Sequence, residues 1–106
     1  MKLGIILNSR DPETAWNALR LGSEAIGAGF EVKMFLLGSG VEIEKIKDKT
    51  FDILKALRKF LDSGGEVLAC GTCMGLRHQE AGVCSSSTMA ELVKMVWDSD
   101  RVVSLG

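Results

Sequence analysis

Short apolar runs alternate with amphipathic stretches along the chain, and this pattern predicts alternating strands and helices. The runs at Lys2–Asn8, Phe30–Leu37 and Glu66–Cys70 are compact and rich in aliphatic residues, which is typical of strands buried in a parallel sheet. Val83–Cys84 and Arg101–Leu105 predict two further short strands. The expected sheet therefore has four or five strands.

The stretches between the first three runs carry apolar residues at helical spacing. A helix is predicted over Pro12–Ala28, because Asp11 provides an N-cap and proline suits the first helical position. A second helix ends at Ser63 and places its charges on a solvated face. Gly38–Val41 predicts a turn, and Val41–Lys49, with its mixed period, predicts a loop or a short helix.

Two more helices are predicted in the second half of the chain. One begins at Thr72 or Cys73 and runs to about Glu80, and the other follows Thr88 and Glu91, which have the spacing of a capping box. The last helix carries an apolar stripe that predicts packing against the sheet, made of Met89, Leu92, Val93, Val96 and Trp97.

This order of elements predicts a three-layer α/β/α fold with a mostly parallel sheet of four or five strands, in one domain over residues 1–106. Sites in such folds lie at the carboxyl ends of the strands. That edge is expected to collect four loops that are far apart in sequence, namely Asn8–Asp11, Gly38–Gly40, Cys70–Cys73 and Cys84–Ser87.

The charge and composition of the chain argue against some classes of binding partner. Thirteen Lys and Arg against fourteen Asp and Glu give a net charge of −1 with no polybasic run, which argues against nucleic acid and membrane surfaces as partners. The apolar opening Met1–Asn8 is too short for a signal peptide or a membrane span, so a cytoplasmic protein is expected. A domain this small and apolar also favours association between copies.

Three cysteines are an odd number, so they cannot all pair within one chain, and a disulfide scaffold is not expected. The motif Cys70-Gly-Thr-Cys73 lies where the third strand meets a helix. Amides of Gly71, Thr72 and Cys73 would point at the Cys70 sulfur there and favour its thiolate, which is the nucleophilic form. Arg77 lies about two turns further on, where it is placed to face the sulfur or a bound anion.

The neighbouring strand-end loops add candidates for binding a substrate or an anion. Asn8 and Arg10 follow the first strand, and Gly40 lies in a loop whose glycines allow backbone amides to approach a ligand. This loop lacks the full dinucleotide-binding or P-loop pattern, and a plain turn explains it as well. No cofactor is implied by these residues.

The Cys-x-x-C spacing leaves several interpretations open. A thioredoxin-like site requires a cis-proline opposite the thiols, and the only proline is Pro12 in the first loop. A zinc site has the right ligand types in Cys70, Cys73, His78 and Cys84, although their spacing is one residue longer than in a zinc knuckle. The cysteines also suit plain packing, Cys84 above all, and His78 is expected to be exposed on its helix.

Four segments together point to a known family. They are the opening Lys2-Leu-Gly-Ile-Ile-Leu-Asn8, the Phe35-Leu-Leu-Gly-Ser-Gly-Val41 loop, the Ala69-Cys-Gly-Thr-Cys-x-x-x-Arg77 motif and the closing Asp100-Arg-Val-Val-Ser104. In these segments the whole chain resembles the DsrE/DsrF-like family. The resemblance implies an α/β fold, assembly into trimers or hexamers, and, at the position of Cys70, a cysteine that carries sulfur as a persulfide between donor and acceptor proteins.

The chain departs from the family pattern at two positions. His78 stands where many members have glycine after the arginine, so the helix there is expected to differ in shape. Cys73 is absent from the best-understood sulfur carriers. The leading hypothesis is therefore a sulfur carrier, or sulfurtransferase-like protein, acting through Cys70. The alternatives are a thiol-disulfide or redox-sensing protein using Cys70 and Cys73, and a non-enzymatic binding or assembly module with a structural zinc.

Overall fold

A computed structural model describes residues 1–106 and contains one sheet of five parallel strands in the order β4-β3-β2-β1-β5. The strands are β1 (Lys2–Leu7), β2 (Glu31–Leu36), β3 (Glu66–Cys70), β4 (Ser85–Ser87) and β5 (Arg101–Leu105). Every neighbouring pair is parallel. The α/β class and the parallel sheet predicted from the sequence are confirmed.

The helices are α1 (Pro12–Gly27), α2 (Ile53–Asp62), α3 (Gly71–Leu76) and α4 (Met89–Asp98), and a 3-10 segment covers Gly38–Lys45. Side-chain caps fix the starts of all four α-helices. The Asp11 carboxylate accepts from Thr14 N at 2.9 Å, and Thr88 Oγ1 accepts from Glu91 N at 3.2 Å, so both predicted N-caps are confirmed. None of the helices has the length and apolar character that a membrane crossing requires.

The helices lie on both faces of the sheet. The connections from β1 to β2 and from β2 to β3 run in the same direction along the sheet, and right-handed connections of this kind place α1 and α2 on the same face. The connection from β4 to β5 runs back in the opposite direction, which places α4 on the other face. Two glycines lie where the helices pack against neighbouring elements. A Cβ on Gly22 of α1 would meet Phe60 of α2, and a Cβ on Gly4 of β1 would lie 3.0 Å from Met95 of α4.

The core consists of 22 buried apolar residues, with no buried polar or charged residue among them. Its largest fully buried side chains come from the central strands and from α2, and include Ile5, Leu7, Met34, Phe35 and Phe60. Cys70, Met74 and Cys84 belong to the same cluster. The cysteine motif is therefore anchored in the core rather than carried on a free loop.

The third helix ends at Leu76, so the predicted end at Glu80 is wrong. It closes with a Schellman motif, in which Gln79 N donates to Met74 O at 2.9 Å and His78 N donates to Gly75 O at 3.1 Å. This motif requires a left-handed residue, and His78 occupies that position with φ +50°. Histidine thus adopts the conformation that glycine usually supplies.

Two other boundaries differ from the prediction. The fourth strand is Ser85–Ser87 rather than Val83–Cys84, because Val83 N donates to Glu44 Oε1 at 3.2 Å instead of joining the sheet. The predicted turn at Gly38–Val41 continues into a 3-10 segment with a kink at Glu42. The contact between Val83 and Glu44 joins residues that are far apart in sequence, and such a contact leaves no periodic signal.

The predicted sheet-facing stripe of α4 is wrong at four of its five positions. Leu92 is buried, together with Met95, but Met89, Val93, Val96 and Trp97 are 57%, 63%, 44% and 87% exposed. Apolar residues occupy much of the circumference of this helix, and only the strip through Leu92 and Met95 reaches the sheet. The exposed residues Met89, Val93, Val96 and Trp97 are called the α4 apolar face below.

Candidate functional site

The carboxyl ends of β1, β2 and β3 bring the predicted loops together. Leu37 N donates to Leu7 O at 2.9 Å, and Arg10 N donates to Ser39 Oγ at 3.0 Å, which joins the loops after β1 and β2. Gly38 N donates to Cys73 Sγ at 3.3 Å, which joins them to the start of α3. Three segments that are distant in sequence therefore form one edge around the two cysteines.

Cys70 is the last residue of β3 and the N-cap of α3. Its sulfur accepts a hydrogen bond from Cys73 N at 3.4 Å, and the residue is only 4% exposed. The helix that follows has six residues and closes immediately, so this single amide is its contribution to the sulfur. Cys70 is thus a buried thiol with one backbone donor aimed at it.

Cys73 lies one turn later and is half-buried. Its sulfur accepts a hydrogen bond from Gly38 N. The neighbouring Cys70 thiol and the burial of the sulfur raise the pKa of Cys73, while the Gly38 amide and the Arg77 guanidinium act in the opposite direction. The net effect is a raised pKa, which favours the protonated thiol of Cys73.

Arg77 is tied to the same cluster. Its Nη1 donates to Cys73 O at 3.1 Å, and its Nε lies 3.6 Å from Glu42 Oε2. The same carboxylate oxygen lies 3.3 Å from Arg10 Nη1. Glu42 thereby holds two arginines from different loops beside the cysteine pair, and the Arg77 side chain is fixed at the backbone of Cys73.

The other predicted binding residues have different positions. Asn8 lies against Gly38, where an added Cβ would come within 2.5 Å of Asn8 Oδ1. Gly71 lies against β4, with an added Cβ 3.1 Å from both Ser86 Oγ and Ser87 O, and Thr72 is exposed. Gly40 is buried and packs on the Leu7 carbonyl, so it serves the close approach of two backbone segments.

Cys84 occupies a separate environment. It is 3% exposed, and burial, the nearby Glu44 charge and a hydrogen bond to that carboxylate raise its pKa to about 12. No group of three or more His, Cys, Asp or Glu side chains is arranged to hold a metal ion. The zinc interpretation is therefore wrong for this structure, since Cys70, Cys73, His78 and Cys84 do not come together as ligands.

Two residues at the site carry no signal that a sequence pattern reveals. Glu42 lies in the stretch of mixed period and is recognised only by the two arginines that it contacts. Gln79 follows the Schellman motif, and its Nε2 donates to Val41 O at 2.7 Å, which fastens the end of α3 to the 3-10 segment. A surface cleft of about 470 Å³ elsewhere, between α1 and α2, contains no cysteine.

Comparison with known proteins places this arrangement in a family. The model of the DsrE/DsrF-like family matches residues 1–105. The chain belongs to the DsrE/DsrF-like family. This family is associated with sulfur relay.

Related proteins in archaea share much of the sequence. An uncharacterized protein of Methanopyrus kandleri is 37% identical over 99 residues, covering 86% of this chain and 81% of that protein. An uncharacterized protein of Methanocaldococcus jannaschii is 31% identical over 113 residues, covering 98% of this chain and 99% of that protein. These relatives support the family assignment.

A solved structure shows the same fold. A conserved protein of unknown function from Bacteroides thetaiotaomicron superposes with a TM-score of 0.78 at 18% sequence identity, covering 97% of this chain and 93% of that chain. At this level of identity the likeness concerns the fold alone. The five-stranded DsrE-like architecture is thus shared well beyond close relatives.

Proposed function

We propose that this protein is a sulfur carrier, or sulfurtransferase-like protein, in which Cys70 holds a sulfane sulfur as a persulfide. One observation carries the proposal, within a family associated with sulfur relay: the Cys70 sulfur lies at the carboxyl end of β3 and accepts a hydrogen bond from Cys73 N at 3.4 Å. A donated hydrogen bond favours an anionic sulfur over a neutral one, whether thiolate or persulfide.

In the proposed transfer, a sulfane sulfur passes from the persulfide of a donor to the Cys70 thiolate. The Cys70 thiolate attacks the terminal sulfur of a donor persulfide, a new S–S bond forms on Cys70, and the donor leaves as its thiolate. The reverse exchange passes the sulfur to a thiol on an acceptor protein. Such a carrier works in a reducing compartment such as the cytoplasm, because the acceptor must present a free thiol.

Burial constrains how the donor reaches Cys70. The residue is 4% exposed, and half-buried Cys73 is its hydrogen-bonded neighbour on the next turn. Loading therefore requires a small shift of the Cys73 side chain or of the Gly38 segment that holds it. Arg77 and Arg10 lie at the same edge and offer positive charge to an incoming persulfide anion, although both already contact Glu42.

A second candidate function is thiol-disulfide exchange or redox sensing by the Cys70–Cys73 pair. The hydrogen bond from Cys73 N to the Cys70 sulfur at 3.4 Å favours it, since it places the two cysteines side by side on one turn. In this alternative, loss of either cysteine abolishes activity equally. A carrier instead requires Cys70 for loading and does not require Cys73 to accept sulfur.

We also propose that the protein assembles into a homo-oligomer, in line with the trimers and hexamers of its family. The α4 apolar face supports this, because a helix that is apolar around much of its circumference normally buries more than one side. The occupant that we propose is a second copy of this chain, contacting Trp97 and Val93. Donor and acceptor proteins would then approach from the cysteine edge.

The carrier proposal is tested by loading the reduced protein with inorganic polysulfide labelled with radioactive sulfur. The expected result is about one labelled sulfur per chain, counted as sulfur bound to the protein plus sulfide released from it, lost in Cys70→Ser and retained in Cys84→Ser, which is a matched control because Cys84 is also buried. Equal loading of the wild type and Cys70→Ser would rule out Cys70 as the acceptor.

A further inference from the structure

The second cysteine of the motif has contacts that a simple carrier does not need. Cys73 Sγ is held by Gly38 N at 3.3 Å, and its backbone N donates to Cys70 Sγ at 3.4 Å. Cys73 thus contacts Cys70 through its backbone, and a residue from another loop fixes its sulfur in place.

The spacing of the pair permits a disulfide. Residues three apart on a helical turn have Cα atoms about 5 Å apart, and disulfides form between residues whose Cα atoms are about 4.4–6.8 Å apart. Cys70 is the N-cap of α3 and Cys73 lies within its first turn, so closing the bond requires side-chain rotation more than backbone movement.

We propose that Cys73 discharges the persulfide of Cys70 as hydrogen sulfide, which makes the protein a persulfide reductase as well as a carrier. The inference rests on the proposed function, since it starts from the loaded Cys70. Cys73 sulfur attacks the inner sulfur of that persulfide, an intramolecular Cys70–Cys73 disulfide forms, and the bond to the outer sulfur breaks.

The step balances in atoms and electrons. An ionised persulfide and the Cys73 thiol give the disulfide and one hydrosulfide ion, and the proton of the Cys73 thiol moves to the departing sulfur. The sulfane sulfur gains two electrons, and the two cysteine sulfurs supply them. A further turnover requires an external dithiol to reduce the Cys70–Cys73 disulfide.

The electrostatics of the pair suit this sequence of events. Arg77 Nη1 donates to Cys73 O at 3.1 Å, and its positive charge acts to lower the pKa of Cys73, which favours the negative charge that develops on the Cys73 sulfur during attack. Arg77 is therefore a positioning residue for the discharge step.

The test uses the full-length protein, reduced, freed of reductant, and loaded anaerobically with inorganic polysulfide. Sulfide release is measured over time after the excess polysulfide is removed, and intact mass follows the protein. The wild type is expected to release about one sulfide per chain and to end as a disulfide. Cys73→Ser is expected to hold its sulfur and release it at least tenfold more slowly, while Cys84→Ser behaves as the wild type.

Each outcome separates this inference from the carrier proposal. If Cys73→Ser does not load, the carrier proposal fails. If both proteins load and release sulfide at equal rates, or if neither releases it, the discharge step is overturned and the carrier proposal stands. A disulfide mapped to Cys84 would also overturn it, because the proposed bond joins Cys70 and Cys73.

A second variant series tests Arg77. Arg77→Gln is expected to slow sulfide release several-fold, and Arg77→Lys is expected to restore most of the rate, because lysine retains the positive charge. The rate of release is expressed per loaded sulfur, because Arg77 also lies where the incoming persulfide anion is proposed to bind. Equal slowing by both substitutions would contradict a charge effect on the Cys73 sulfur.

Discussion

Cys84 and Cys70 are both buried thiols, yet their neighbours differ in kind. The Cys84 thiol faces the Glu44 carboxylate, which raises its pKa, whereas the Cys70 sulfur accepts a hydrogen bond from a backbone amide. Both residues are about equally buried, so the proposed sulfur acceptor is distinguished by its hydrogen-bond donor and by the absence of that carboxylate contact.

The environment of Cys84 predicts how the stability of the folded protein depends on pH. The pKa of Cys84 is raised from 9.0 to about 12 on folding, so the folded state keeps a proton that the unfolded state releases. Its contribution to stability is complete below pH 9 and is lost as the pH rises toward 12. Urea unfolding between pH 8 and 11 should show a decline that is shallower in Cys84→Ala. Identical slopes in the two proteins would contradict this assignment.

At the scale of elements, α3 is shaped by its ends. Cys70 caps its start, and the left-handed His78 closes it after six residues. His78→Gly is expected to raise the free energy of unfolding by up to about 1 kcal/mol, because glycine adopts this conformation without a steric cost. His78→Val should lower it by about 1–2 kcal/mol, since a β-branched residue is strained there. Equal stability of the two variants in urea unfolding would show that the position carries no such strain.

Four of the five strands and the caps Asp11 and Thr88 could be predicted from the sequence, because apolar runs and capping residues are local signals. Pro12, Thr88 and the end of β3 at Cys70 all match the prediction. The early end of α3 could not be predicted, because it depends on a histidine adopting a conformation that is uncommon for it. Glu42 was missed for a similar reason: its role arises from Arg10 and Arg77, which are distant in sequence.

At the scale of the whole molecule, periodicity identified the apolar residues of α4 but not what they face. The sheet accommodates only Leu92 and Met95, which leaves the α4 apolar face in contact with solvent in the single chain. Apolar residues at helical spacing indicate that one surface of a helix is buried. They do not distinguish burial within the chain from burial against another copy of the chain.

Sedimentation tests whether the α4 apolar face is an interface between copies of the chain. The wild type is expected to sediment as a trimer or a larger oligomer at micromolar concentration, and Val93→Glu with Trp97→Glu should yield monomers. Leu54→Glu is the matched control, because Leu54 is 49% exposed on α2, on the opposite face of the sheet. A monomeric wild type, or equal dissociation by the control, would refute the proposed interface.

The central claim is that Cys70 carries sulfane sulfur, and peptide mass spectrometry of the protein purified without reductant tests it most directly. A sulfur carrier of this kind is expected to have one additional sulfur on the peptide containing Cys70, or a Cys70–Cys73 disulfide after discharge, with Cys84 unmodified. In Cys73→Ser, where discharge is blocked, the sulfur should remain on Cys70. An unmodified Cys70 in that variant after exposure to polysulfide would contradict the account.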